Sequence, residues 1–417
     1  MTAAAVDAAV VGAGAAGLAA ARSLVEAGLR VEVLEARDRI GGRAHTVILP
    51  GGHPADLGCE WLHSADRNPW TELARRHGLR VDETLPDWGD SFAREQLGEA
   101  EAADWARSLD AFERAVAEAA ADGAGPDRSI GSVLPRDSRW LPAFDAMTTY
   151  ISGAPVDRLS VRDGARYADS GVNWRVAEGY GTLIARHGAG LPVRLGTPVR
   201  RIDWSGADVA LETESGTLRA RAAVVAVPLS GLAPGGLRFE PGLPDRLAEA
   251  VAGLRLGDNA KLFLGIEGRP WDLAGERHAV GSLRRRDTGA YHIQPLGRPL
   301  VSCFFGGDLA ARLEREGMAA MADFALAELA DLHGGQVRRH LKPLAASAWS
   351  LDPWSRGAYS YALPGGADGR AVLAEPLAGR LFFAGEAVSR DAYSTAHGAH
   401  LSGLAAARAL LDSLGTP

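Results

Sequence analysis

An apolar run from Ala8 to Val11 opens the chain and predicts a short buried strand. Gly12 to Gly17 predicts a glycine turn, and the Ala-rich stretch Leu18 to Ala27 a helix. Gly28 falls where a helix end favours left-handed backbone. Leu29 to Glu35 then alternates apolar and polar side chains, which predicts a second strand and so a βαβ unit. From Trp70 to Gly123 the pattern turns helical, with Leu73, His77 and Leu79, then Trp105, Leu109, Phe112 and Val116 at helix-like spacing. The looser stretch Ala121 to Ser138 reads as a connection inside that helical region. Further on, Leu183 to Ala189 predicts a helix end, Val193 to Trp204 a pair of strands, and Asp208 to Val227 a hairpin turning at Ser215-Gly216. Strands are expected at 260–266, 290–296, 300–305 and 381–384, and helices at 318–332 and 396–414. No 20–50-residue repeat is present. A nucleotide unit at the start and a glycine-bounded strand and helix at the end suggest one nucleotide domain in separated segments, with a second domain inserted.

Length and composition narrow this. A chain of 417 residues predicts two or three domains. With 47% hydrophobic and 23% charged residues it has an ordinary globular composition, which excludes disorder as the main state. A net charge of −7 offers no basic footprint for nucleic acid. Only Lys261 and Lys342 are lysines among 45 basic residues, which with abundant Ala, Gly and Arg suggests GC-rich bacterial coding. Cys59 and Cys303 alone give neither a disulfide framework nor a four-ligand zinc site, so a reducing cytoplasm is expected. The apolar N-terminus lacks a basic flank and is interrupted by Asp7 and glycines, so secretion is not expected. No uninterrupted apolar stretch is long enough to predict a membrane span, and the final SLGTP carries no targeting signal.

The glycine turn is Gly12-Ala13-Gly14-Ala15-Ala16-Gly17. In a GxGxxG turn the first glycine makes the bend, the second admits a pyrophosphate, and the third lets helix and strand approach. The helix N-terminus then offers N–H donors and a positive dipole to phosphates. Such a string arises easily in an Ala/Gly-rich chain. Its setting between strand and helix, with Glu35 23 residues after Gly12, makes it a dinucleotide fingerprint. A carboxylate at that position suits ribose hydroxyls and disfavours a 2′-phosphate. The run Glu35 to Arg43 supplies glycines for a close turn and arginines that can balance a pyrophosphate. On composition alone a solvated charged loop explains it equally.

The segment VVGAGAAGLAAARSLVEAGLRVEVLEARDRIGGR resembles the N-terminal signature of the flavin-containing amine oxidase family, which includes monoamine oxidases, polyamine oxidases and lysine-specific histone demethylases. Matching segments recur in order: DLGCEWLHSADRNP, which is similar to polyamine oxidases, then GYGTLI, VVAVPLSGL, DNAKLFL, WSLDPWSRGAYSYALPGG and LFFAGEAVSRDAYSTAHGAHLSG. Residues 85–178 and 265–345 are largely unmatched. The resemblance implies an α/β, two-domain fold: a glutathione-reductase-type FAD domain with an inserted substrate domain of mixed sheet and helices. It places the FAD domain at 1–80, 178–258 and 366–417, and the substrate domain at 81–177 and 259–365.

The resemblance also implies roles. Gly12, Gly14 and Gly17 would hold the FAD pyrophosphate and Glu35 the adenosine ribose, with Arg37, Gly42 and Arg43 near the phosphates. Val199 would meet the adenine through its backbone, and Gly385 and Glu386 would lie along the ribityl chain. Ala396, opening the last helix, would aim its N–H at the flavin O2 side. Lys261 would reach flavin N5 through a water, where a forked arginine does not replace a point donor; an ordinary strand-end lysine is the plain alternative. Trp349, Trp354 and Tyr359 would line the flavin, with Tyr359 one wall of the amine slot; core packing is the usual fate of such rings. Thr395 stands where monoamine oxidases carry a second tyrosine wall, as in polyamine oxidases and histone demethylases. Ala358 stands where monoamine oxidases attach flavin through a cysteine, so FAD is expected to be non-covalent.

Glu60, Trp61 and His63 fall where polyamine oxidases approach the substrate side of the flavin. Glu60 could pair with a remote ammonium, and His63 could bind substrate or transfer a proton; each could equally be a satisfied buried polar group. Cys59 reads as an inert core thiol, and His397 and His400 as packing residues rather than zinc ligands. The expected activity is FAD-dependent oxidation of an amine C–N bond to an imine, with O2 reoxidising the flavin to H2O2. The expected partners are a small amine, such as a polyamine, and O2. A dehydrogenase or desaturase of a secondary metabolite on the same scaffold is the alternative.

Overall fold

The computed structural model describes residues 6–88, 96–122, 125–269 and 275–415. Outside it lie the first five residues of the apolar N-terminal stretch, residues 89–95 of the region read as helical, 123–124 of the looser stretch, 270–274, and the last two residues.

The predicted βαβ unit is formed by the strand Val6–Val11, the helix Ala15–Glu26 and the strand Val31–Leu34. The two strands pair in parallel, and Val6–Val11 also pairs in parallel with the long strand Gly216–Val225. Val6–Val11 shows no regular apolar–polar alternation because both sheet faces are covered. Ala8 and Val10 enter one core with the first and last helices, while Ala9 and Val11 enter another with Leu229, Leu247 and Val251. The main sheet has eight strands; from one edge they run Arg238–Glu240, Val199–Asp203, Val209–Thr213, Gly216–Val225, Val6–Val11, Val31–Leu34 and Val193–Arg194. Leu381–Phe383 completes it by pairing in parallel with Gly216–Val225. The last helix, Ala396–Leu414, lies against the first; Ala406, Ala407 and Leu410 share a core with Leu18, Ala20 and Leu24, and at Gly403 the backbones themselves come close. A Cβ on Gly403 would stand 2.1 Å from the Ala16 carbonyl oxygen.

A second sheet is antiparallel, in the order Arg277–Val280, Ala290–Ile293, Leu300–Gly306, Asn259–Ile266, Leu341–Ala346. Strand alternation divides its side chains. Ala260, Leu262 and Leu264 join a core with the helices Gly307–Glu316 and Met318–His333. Lys261 therefore points to the opposite face, beside its cross-strand partner Phe304. A three-stranded sheet centred on Asn173–Val176 pairs Trp61–His63 on one side and Val81–Asp82 on the other. The architecture is the expected α/β fold with a large mixed sheet and a second region of sheet and helices.

Several elements differ from the sequence expectation. The first helix begins at Ala15, so Gly17 lies inside its first turn. The two strands between Val193 and Trp204 form, but at opposite sides of the main sheet rather than as a pair. The region 70–123 is not one helical stretch: Pro69–Arg76 and Glu99–Ala121 are helices, with the strand Val81–Asp82 between them. Leu79 is apolar because it fills the core under the main sheet, not because it continues a helix. The helix Leu141–Ser152 has no counterpart among the elements expected from the sequence. Among the described residues no helix is long and apolar enough to cross a membrane.

Candidate active site

One cavity of about 1450 Å³ runs from the glycine turn, between the two sheets, to the face of the second sheet that carries Lys261. It is lined by Gly12, Gly14, Glu35, Arg37, Gly42, Arg43, Val199, Trp349, Trp354, Gly385, Glu386 and Ala396 of the residues expected at a cofactor. It is also lined by Glu60, His63, Lys261, Tyr359 and Thr395, so the structure brings both predicted sets to one space. Gly17 alone of those residues does not line it. Its missing Cβ serves packing, since a side chain there would stand 1.9 Å from the Gly12 carbonyl oxygen.

The nucleotide end has the properties a dinucleotide requires. Gly12 has φ +99°, and Gly42 has φ +60° with its Cβ direction closed by Gly14. The helix Ala15–Glu26 has no side-chain cap, and Ala15 and Ala16 line the cavity, so its first N–H groups face an anion site. Glu35 is buried, and its carboxylate accepts from the N–H of Ala13 (2.7 Å) and Arg37 (2.8 Å). Each oxygen keeps a further lone pair for a ribose hydroxyl. These residues fit the group that the sequence implies.

The two arginines are more committed than expected. Arg37 donates to Asp352 (2.5 Å) and Ser355 Oγ (2.8 Å), clamping the loop that carries Trp354. Arg43 pairs with Glu386 Oε1 at 3.0 Å and donates to the Ala358 carbonyl. Glu386 also accepts from the Ser360 hydroxyl and the Ser394 N–H. Burial opposes its charge, but Arg43, Ser360 and Arg370 outweigh that and hold its carboxyl below the usual range. Trp349 is buried, and its indole donates to the Leu57 carbonyl. Trp354 lies under the Arg200 guanidinium, 5.6 Å from its ring centre. Thr395 is the N-cap of the last helix: its Oγ1 accepts from the Gly398 N–H and donates to the Ala392 carbonyl. Its hydroxyl is thus occupied by capping, and it bounds the cavity as a small residue.

Around Lys261 the structure adds partners that the sequence hides. Lys261 Nζ donates to Glu60 Oε2 at 2.7 Å and to the Asp56 carbonyl at 3.1 Å. Both side chains of this ion pair are largely buried. Burial would raise the Glu60 carboxyl, but Lys261, His292 and Arg175 overcome it and hold it at about 2. Glu60 therefore holds Lys261 instead of standing free for a remote ammonium. Behind it, His292 Nε2 meets Glu276 Oε1 at 2.5 Å, and Arg175 joins Glu276 to Asp82. Arg175, Glu276 and His292 lie in the unmatched stretches and carry no local motif; only strand pairing assembles them.

His63 Nδ1 lies 2.6 Å from Asn173 Oδ1, its direct cross-strand partner. Asn173 Nδ2 donates to the Gly171 carbonyl, which fixes the amide so that Oδ1 accepts. The proton then sits on Nδ1, and Nε2 carries the lone pair. Burial lowers the imidazole's proton affinity despite the Asn173 hydrogen bond and the Asp169 charge. Tyr359 is buried at the phenol, which donates to the Tyr150 carbonyl. Cys59 lines the cavity, but burial pushes its thiol up to about 12, so it is not a thiolate. His397 and His400 are buried on the last helix, with His400 edge-on to Trp70 at 4.8 Å.

The profile of the flavin containing amine oxidoreductase family matches residues 15–152 and 157–411. The chain belongs to that family. It is an enzyme of the amine oxidase type, and its cofactor is a flavin. Among relatives of this family, polyamine oxidase 2 of Arabidopsis thaliana is 30% identical, over 95% of this chain and 86% of that protein. Lysine-specific histone demethylase 1 homolog 1 of Oryza sativa subsp. japonica is 30% identical, over 94% of this chain and 51% of that protein. In fold, the chain is similar to wild-type putrescine oxidase bound to putrescine: TM-score 0.79, 22% identity, covering 98% of this chain and 99% of that one.

Proposed function

We propose that the chain binds FAD non-covalently and oxidises a primary or secondary amine, a polyamine or a related compound, using O2 as acceptor. The observation that carries this reading is the convergence of the glycine cradle, the Lys261–Glu60 pair and Tyr359 on one cavity. Relatives named polyamine oxidase and a fold neighbour bound to putrescine support an amine of that kind. Gly12, Gly14, Gly42, Glu35 and Arg43 would hold the dinucleotide, Val199 its adenine end, and Gly385, Glu386 and Ala396 the stretch toward the ring. Bound there, FAD would supply the two-electron acceptor for the carbon beside the amine nitrogen, with O2 as the final acceptor and H2O2 as its product. Ala358 and the protonated Cys59 offer no nucleophile for a covalent link. The proposal keeps the cytoplasmic setting expected from the cysteine count.

The protein's own contributions follow from its side chains. His63 Nε2, neutral at physiological pH, takes a proton from the arriving ammonium, since only the neutral amine is oxidised. Tyr359 and Trp349 exclude water and orient the amine. Lys261 Nζ, held by Glu60 and Asp56, keeps a cationic donor at the reacting end of the cavity. The imine product leaves and hydrolyses in bulk water.

An aerobic panel of spermine, spermidine, putrescine, acetylated polyamines and monoamines, assayed for H2O2, tests the reading. Peroxide equal to the aldehyde formed from at least one amine is expected. Amine turnover with an artificial acceptor but without peroxide would favour the dehydrogenase.

A further inference from the structure

The cavity face of the second sheet carries a polar row. His278, His292 and Ser302 are direct cross-strand neighbours on Arg277–Val280, Ala290–Ile293 and Leu300–Gly306, and all three line the cavity. The two imidazoles are buried and stacked, with ring centres 4.0 Å apart and planes 22° from parallel. His292 stands between two carboxylates. Its Nε2 lies 2.5 Å from Glu276 Oε1, and its Nδ1 lies 4.0 Å from Glu60 Oε1. A nitrogen lone pair and a carboxylate oxygen do not meet at 2.5 Å without a proton between them, so Nε2 carries one whether the ring is neutral or charged. Arg175 Nη1, 3.3 Å from the same nitrogen, donates to Glu276 Oε1 instead.

Nδ1 is then the position that gains or loses a proton. Charged, the ring turns an N–H toward Glu60; neutral, it turns a lone pair. Glu60 uses its other oxygen, Oε2, for Lys261 Nζ at 2.7 Å, so one carboxylate connects the imidazole to the ammonium. The neighbouring charges leave room for a third cation. Lys261 and Arg175 face Glu60, Glu276 and Asp82, a set with one negative charge in excess that an imidazolium balances. Asp56 and Arg298 also lie within electrostatic reach of Glu60. His278 does not compete for the proton. Its Nδ1 meets Asp87 at 2.7 Å, but burial, and then the charge of His292, hold it well below the ordinary imidazole range. Ser302 adds no charge.

We propose that His292 is a positioning residue that acts through Glu60 on Lys261, adding a proton-controlled positive charge at the reacting end of the cavity. The inference rests on the reading that Lys261 faces the bound flavin. An imidazolium draws on Glu60 Oε1, leaves Lys261 less neutralised and favours the reduced, more negative flavin. The neutral ring leaves Glu60 wholly to Lys261 and withdraws that charge. The proton comes from solvent, and no electron moves to or from the ring. Histidine is the side chain that ordinarily changes charge between about pH 5 and 8, so acid adds this charge and alkali removes it. A unit charge about 10 Å away, acting through an effective dielectric of about 20, changes an equilibrium roughly tenfold.

The flavin reduction equilibrium of the holoenzyme tests this, measured against a reference dye with no amine present, from about pH 5.5 to about pH 8.5. His292→Gln keeps a polar side chain without the charge. Its equilibrium should lie roughly tenfold toward oxidised flavin relative to wild type at the acid end, and meet wild type at the alkaline end. His292→Lys keeps a charge without the ring. It should match wild type at the acid end and lie toward reduced flavin by the same factor at the alkaline end. Both variants lose the stacking on His278, so the contrast between them separates charge from packing, and either one decides alone if the other does not fold. A difference from wild type that stays constant with pH, or no difference, overturns the inference. Anaerobic bleaching by amines is read separately. A pH-dependent difference without bleaching keeps the role of His292 and removes amine oxidation; bleaching without that difference does the reverse.

Discussion

Lys261 and His63 are set by neighbours far away in sequence, and each makes a prediction. Lys261→Met leaves Glu60 buried beside His292 and Arg175 without its closest counter-charge. Breaking a buried pair from one side costs about 3 to 5 kcal/mol. The variant should still purify yellow, with flavin reduction or reoxidation slowed roughly tenfold or more, on the scale of a lost positioned proton-handling group. Stopped-flow traces with both rates unchanged would remove Lys261 from the chemistry. For His63, Asn173→Asp replaces a neutral acceptor by a carboxylate 2.6 Å from Nδ1. A nearby opposite charge favours the imidazolium, so the acid limb of kcat/KM against pH should move up by about one unit. A limb that stays in place would mean His63 does not take the substrate proton. Lys261, Glu60 and His63 are legible as residues in the sequence. Their pairing is not, because Glu60 and Lys261 are 201 positions apart and meet only when the strand alternation of Asn259–Ile266 turns Lys261 from the core.

At the scale of elements, the glycine spacing between strand and helix is legible because each glycine answers a steric demand within a few residues. The contact between first and last helices is not, since nothing local in Gly403 says that Ala16 lies against it. That contact predicts that Gly403→Val forces the helices apart, because its Cβ would stand 2.1 Å from a backbone oxygen. Overpacking of this kind costs about 1 to 3 kcal/mol. The melting midpoint should fall and flavin content with it, as both helix N-termini border the cavity. A variant with native Tm and full flavin would show that the helices separate without cost. The strand Val81–Asp82 is read as helical from the sequence because it is short and lies between two stretches that are helices, Pro69–Arg76 and Glu99–Ala121. The helix Leu141–Ser152 carries neither a side-chain cap nor a motif, and its apolar stripe faces the cavity.

Across the whole molecule, buried histidines make stability depend on pH. His187 and His400 are both lowered to about 4, chiefly by burial, from an ordinary 6.5. The unfolded chain takes these protons below 6.5 and the folded chain does not until about 4. Their stabilisation is therefore present above pH 6.5 and lost as the pH falls toward 4. The Tm should drop across that window, and His400→Phe, which keeps a ring edge-on to Trp70, should reduce the drop. An equal drop in the variant would assign the acid sensitivity elsewhere. The α/β architecture is legible from the order of motifs, while the part of the cavity wall supplied by Glu99–Ala121 and Leu141–Ser152 is not, because both helices come from residues without family resemblance.

The central claim is that the shared cavity places an amine at a bound flavin. The most direct measurement is anaerobic addition of an amine to the yellow protein while the flavin absorbance is followed, with air admitted afterwards and H2O2 counted. The account predicts bleaching by at least one aliphatic amine, then recovery of the yellow band with peroxide stoichiometric with the flavin. A flavin that no aliphatic amine bleaches would contradict it.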